Sequence, residues 1–175
     1  MITPELLEAL LSPENDANGD SPRARAEAYL QTLSIVERTQ SLLQVLMKTQ
    51  QEAHWMLTAV LLRRDIANLA GNVLANVLDT ATSLQLLKGM MEPLLAFFLN
   101  TAVPANIRRL GGHCLAELCA SLSILSPYDS DAAFENILSK IAPMVRRAKD
   151  LIFKKAVIIF FSKASFICSA SNRMF

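Results

Sequence analysis

Eight residues in the stretch Asn106–Leu125 set the strongest constraint on the fold. Ile107, Leu110, Gly111, Cys114, Leu115, Leu118, Cys119 and Leu122 fall at i, i+3, i+4, i+7, i+8, i+11, i+12 and i+15. That spacing draws one apolar stripe down an α-helix and has no counterpart in a strand, where alternate residues would share a face. The same period recurs along most of the chain, and no segment alternates with period two. The expected fold class is therefore all-α. With 175 residues, 52% of them hydrophobic and 19% charged, the chain has enough apolar material for a sizeable core and too much to be disordered.

The element boundaries follow from local chemistry. Thr3 and Pro4 suit the N-cap and first position of a short helix carrying Leu6, Leu7, Leu10 and Leu11. The run "SPENDANGDSP" breaks it, and its acidic part, Glu14 to Asp20, reads as a hydrophilic turn. Helices are expected from about Pro22 to Leu33, Ser34 to Thr49, and from near Gln50 through "EAHWMLTAVLLRRDIANL"; "AGNVLANVLD" either extends the last or forms a turn. Arg63, Arg64 and Asp65 read as a solvated helix end, or alternatively as a polar rim for a partner. Another helix spans Ser83 to Asn100, with Pro93 expected to kink or divide it. "SPYDSD" is expected to close the 107–122 helix before a last one carrying Phe134, Ile137, Leu138, Ile141, Ala142 and Val145.

Three segments share a nine-residue pattern: "PRARAEAYL" from Pro22, "HWMLTAVLL" from His54 and "IRRLGGHCL" from Ile107. The fifth residue is small (Ala26, Thr58, Gly111) and the ninth is leucine (Leu30, Leu62, Leu115). A small residue lets a partner helix approach closely, and a leucine one turn later fills the layer between them. Helix pairs built this way must stack on neighbours to bury their apolar faces.

Chemistry in these segments weighs lightly against packing. His113 and Cys114 are neighbours on a helix and point about 100° apart, so with Cys119 they do not converge on a metal, and His54 stands apart from them. Cys114, Cys119 and Cys168 show no CxxC spacing, which argues against a disulfide framework. The glycine pair matches no phosphate loop, and His113–Glu117, at i, i+4, reads as a surface pair. No catalytic residue, cofactor or metal is expected. A net charge of +1 gives no general attraction to nucleic acid. Trp55, the single tryptophan, stands where the other copies carry arginine; it reads as half-buried packing or as a partner anchor. Arg146, Arg147 and Lys149 read as a solvated helix end. The segment after residue 147 is apolar and basic, with no uncharged run long enough to span a membrane.

The segments "SPENDANGDSPRARAEAYLQTL", "LTAVLLRR" and "IRRLGGHCLAELCASL" resemble, in that order, the amino-terminal HEAT repeats of importin-β-type nuclear transport receptors. The branch they are most similar to carries ribosomal proteins and histones. The resemblance implies a HEAT-repeat α-solenoid of about three to four helix pairs over residues 1–147, and a tail over 148–175 that does not continue the repeat. It further implies binding of a Ran-type small GTPase in its GTP form, contact with phenylalanine-glycine repeats of nuclear pores, cargo binding, and residence in cytoplasm and nucleus. The inner helices Arg23–Leu33, Glu52–Arg64 and Ile107–Leu122 would form part of the GTPase-facing surface. Trp55, Arg63, Arg64, Arg108 and Glu117 are the candidate contact residues. Family members are several times longer and usually strongly acidic, so the chain is expected to be an amino-terminal fragment, a truncated paralogue or an incomplete gene product. The alternatives are a HEAT scaffold unconnected with transport, a helical-bundle enzyme, and a membrane-peripheral role through the tail.

Overall fold

The computed structural model describes residues 1–13 and 21–147; expectations for Glu14–Asp20, Lys149, Cys168 and the tail lie outside these residues. Seven helices follow one another: α1 (Pro4–Leu11), α2 (Pro22–Thr32), α3 (Ile35–Lys48), α4 (Glu52–Leu74), α5 (Thr80–Leu99), α6 (Ala105–Leu125) and α7 (Pro127–Arg147). Among the described residues there is no strand, as the period requires. None of these helices is long and apolar enough to cross a membrane. Two compact units divide the chain, Met1–Asp65 and Ile66–Phe175.

In the first unit, side-chain caps start the helices. Thr3 accepts from the Leu6 amide and Ser21 from the Ala24 amide, each followed by proline at the first helical turn. Ser34 and Glu37 form a reciprocal capping box on α3. Helix ends are closed differently, with no glycine cap. The Leu30 carbonyl, in the last turn of α2, accepts from Arg38 Nη1 at 3.1 Å. The Leu46 carbonyl, in the last turn of α3, accepts from Trp55 Nε1 at 3.2 Å. Long side chains from later helices thus satisfy acceptors that a helix end leaves orphaned. The core takes Leu7, Ala26, Leu30, Leu42, Leu46 and Leu62.

In the second unit α5 packs on α6 and α6 on α7. The double glycine is where α6 meets two aromatic rings. A Cβ added at Gly111 would lie 2.7 Å from Phe97 Cδ1, and one at Gly112 would lie 3.0 Å from Phe98 Cε2. Both rings are buried, so neither can swing aside. Cys114 and Cys119 line the same helix as buried thiols, behaving as small hydrophobes. Ser121 Oγ donates to the Ile66 carbonyl at 3.1 Å. On the outside, Lys88 pairs with Asp129 at 2.9 Å and Glu92 with Lys140 at 2.6 Å, two ties between α5 and α7.

Four expectations are corrected or resolved. α4 does not end at Arg63–Asp65 but continues to Leu74, after which a turn with Asn76 at φ 55° leads into α5. Pro93 does not divide α5, which runs unbroken from Thr80 to Leu99. "SPYDSD" closes α6 as expected, with Ser126 as its extended C-cap, but the break is a single residue: Pro127 already opens α7, and Ser126 Oγ bonds Asp129 Oδ2 at 2.8 Å. Leu110, placed on the α6 stripe, is only half-buried. Ile137 and Ile141 hold the core face of α7.

The helical glycines separate packing from propensity. Alanine favours a helix interior by about 1 kcal/mol over glycine. Gly71 and Gly89 have nothing within 4 Å of an added Cβ, so Gly89→Ala is expected to raise the melting temperature. Gly111→Ala is expected to lower it, because overpacking against a fixed ring costs about 1–3 kcal/mol and outweighs the propensity gain. Thermal unfolding followed by circular dichroism reads both.

Acid sensitivity follows from the exposed carboxylates. Glu37 is held below its ordinary value by the Ser34 hydroxyl, Asp79 by the Thr82 amide, Glu92 by Lys140 and Asp129 by Lys88. A carboxylate with a depressed folded pKa binds fewer protons than in the unfolded chain, so its contribution is complete above the unfolded value and lost as pH falls through the folded one. Melting temperature is expected to fall once pH drops below the ordinary values of 4.5 and 3.8. Glu37→Gln and Asp79→Asn should flatten that fall; an unchanged profile would contradict it.

Candidate protein-binding surface

α4 carries the chemistry of the first unit on two opposed faces. Its inner face runs through His54, Thr58, Leu62 and Asp65, all buried. Three of these four are polar, and each has a separate physical account. His54 Nε2 lies 2.9 Å from Glu8 Oε1, a contact between α1 and α4. Thr58 occupies the small position of the nine-residue pattern, and its buried hydroxyl has no hydrogen-bond partner among the described residues.

Asp65 is fully buried and held by Arg38 from α3. Arg38 Nε donates to Oδ2 at 2.6 Å and Nη2 to Oδ1 at 2.9 Å, the two-pronged geometry that a planar guanidinium offers a carboxylate. Arg38 is itself mostly buried, and the hydrogen bonds to Asp65 hold its pKa above the ordinary value against partial desolvation. With the third bond to the Leu30 carbonyl, one side chain ties α2, α3 and α4 together.

The outer face of α4 presents Met56 and Val60, 48% and 59% exposed, followed by Arg63 and Arg64. Between this helix and α2 lies a groove of about 390 Å³. Leu10, Leu30, Leu57 and Leu61 form its apolar part, and Arg23, Glu27, Arg38 and Arg64 its polar part. Arg23 pairs with Glu27 at 2.9 Å within α2. A second cavity of about 490 Å³ lies by Ile2, Leu7, Val45, Lys48 and His54.

The five sequence-derived contact residues do not form one patch. Trp55, Arg63 and Arg64 share α4, but eight or nine residues separate the tryptophan from the arginines, about 12 Å along the axis. Trp55 is half-buried, with its indole N–H given to the Leu46 carbonyl, which fits packing. Arg63 and Arg64 are exposed, Arg64 with its Nε 3.7 Å from Asp65 Oδ1. Arg108 and Glu117 lie on α6 in the second unit, both half-buried. Nine helical residues put them about 180° apart around that helix. Sequence reasoning missed Arg38 and Asp65. The signal was present: Asp65 falls on the stripe through Thr58, Leu62 and Leu69, and a carboxylate on a buried stripe demands a cation.

Among the described residues, no group of three or more His, Cys, Asp or Glu side chains is placed to hold a metal. No family profile, no curated protein and no solved structure matches this chain.

Removing one partner of a buried pair leaves the other charge uncompensated, typically at about 3–5 kcal/mol. Asp65→Ala is therefore expected to destabilise the first unit severely. Arg38→Lys should rescue little, since an ammonium cannot reach both carboxylate oxygens and the Leu30 carbonyl in one plane. Chemical denaturation of the two variants measures this; a loss under about 1 kcal/mol in Asp65→Ala would mean that the pair is ornamental.

Proposed function

We propose that this chain is a protein-binding HEAT-type helical repeat, the amino-terminal part of an importin-β-like nuclear transport receptor, and that it engages a Ran-type GTPase in the GTP form. The observation that carries the reading is where the nine-residue pattern falls. Its three copies lie at the starts of α2, α4 and α6, alternate members of the helix series, within the first three residues of each. Position five is buried in every copy, at Ala26, Thr58 and Gly111, and so is the leucine at position nine, at Leu30, Leu62 and Leu115. Small and leucine positions in fixed phase on alternate helices are what a stacked-pair repeat needs. The resemblance of the three segments to importin repeats, in matching order, supplies the transport part of the reading.

On this reading Arg63 and Arg64, on the exposed side of α4, are contacts to the GTPase and Trp55 braces that helix; Arg108 and Glu117 lie about 180° apart around α6, so no more than one of them faces the same partner. Phenylalanine-glycine repeats and cargo are further partners, and the protein works in cytoplasm and nucleus without a catalytic step or cofactor. Exposed Met56 and Val60 beside two arginines give α4 the mixed apolar and cationic surface that protein interfaces favour.

The chain, immobilised and challenged with Ran loaded with a non-hydrolysable GTP analogue or with GDP, is expected to retain the GTP form selectively. Arg63→Glu with Arg64→Glu should weaken that retention. Equal retention of both nucleotide states, or none, would remove the transport reading and leave the scaffold.

A further inference from the structure

The groove between α2 and α4 has features that its helical neighbours do not explain. Leu57, Leu61 and Arg64 follow one another at i, i+4 and i+7, a single row along α4. The two leucines are half-buried, and the arginine side chain that ends the row is 57% exposed. Arg64 has one ionic contact among the described residues, 3.7 Å to Asp65 Oδ1. That carboxylate is already gripped at 2.6 and 2.9 Å by Arg38, so it neutralises Arg64 poorly. Arg38 reaches the same groove and uses three of its N–H groups on Asp65 and Leu30. A guanidinium has five, so two are not used in these bonds. The only other carboxylate lining the groove among the described residues, Glu27, is paired with Arg23. The groove is therefore apolar along its leucines and short of negative charge at the Arg38–Arg64 end.

We propose that this groove binds a short acidic-apolar peptide segment, with an aliphatic side chain on Leu57 and Leu61 and a carboxylate on Arg64 and Arg38. Charge complementarity selects the occupant. A basic segment would meet the guanidinium end, and a wholly apolar one would bury Arg64 without a partner. Along α4 the rise is about 6 Å from Leu57 to Leu61 and about 4.5 Å from Leu61 to Arg64, and the length of the arginine side chain lets the row meet the roughly 7 Å repeat of one face of an extended peptide. The inference stands apart from the GTPase reading, because it needs neither nucleotide nor α6.

Fluorescence anisotropy on the full chain tests it with a dye-labelled eight-residue peptide alternating leucine and glutamate. Two comparison peptides replace glutamate by lysine or leucine by alanine. Saturable binding is expected for the first alone, weakening as salt rises from about 50 to about 300 mM. Arg64→Gln is expected to weaken it about fivefold, while Arg63→Gln, on the adjoining strip of α4, changes it less than about twofold. Both substitutions are at exposed positions, and circular dichroism checks that each variant remains folded. No saturable binding overturns the proposal. Equal binding of the lysine peptide, or equal losses in the two arginine variants, overturns it as well. Binding of the alanine peptide as tight as the leucine one would mark a diffuse polyanion site instead. No GTPase is present in this assay, so its failure and that of the transport reading are read separately.

Discussion

The two-pronged bond between Arg38 and Asp65 is the constraint on which the first unit depends. A carboxylate with no solvent exposure, in the middle of a 23-residue helix, is stable only if a cation meets it in good geometry. Arg38 does so, and the same guanidinium closes the end of α2 through the Leu30 carbonyl. A hydrophobic pair could fill this space with comparable stability. It could not bond the α2 carbonyl, and it would leave the groove beside α4 without its cationic end.

Much of the architecture was legible because it rests on local chemistry. Thr3 with Pro4, Ser21 with Pro22 and the Ser34–Glu37 box begin their helices as their side chains dictate. The Gly111–Gly112 pair was readable as close approach, and Phe97 and Phe98 are what approaches. Periodicity also placed Leu30, Leu62 and Leu115 in the interior. Illegible features depend on partners distant in sequence. Asp65 looked like the start of a polar end because "RRD" is charged, yet only two of its three residues face solvent. Its partner is 27 residues away, beyond the reach of any pattern within one helix. Pro93 stays inside α5, while "SPYDSD" holds both the Ser126 that ends α6, as expected, and the Pro127 that begins α7. Pro127 holds a first helical position, which suits proline, whereas Pro93 lies in a helix interior, where proline is disfavoured.

The candidate surface was half legible. Arg63 and Arg64 are exposed where a partner could reach them, and Trp55 instead spends its N–H on closing α3. Arg108 and Glu117 belong to a helix whose other residues are mostly buried. Composition and spacing could not reveal the groove, because it joins Arg23 and Leu30 of α2 to Leu57, Leu61 and Arg64 of α4 across a stretch of chain. The proposed protein-binding role would use that arrangement: exposed apolar residues next to cations on a helix whose opposite face is fixed by a buried ion pair.

A double-mutant cycle on Arg38→Met and Asp65→Leu, read by chemical denaturation, tests that dependence most directly. If the fork organises the first unit, each single variant loses several times more stability than the double variant, since each strands a buried charge that the double removes. Additive losses, with the double variant as destabilised as the two singles combined, would contradict the account and reduce the fork to two independent contacts.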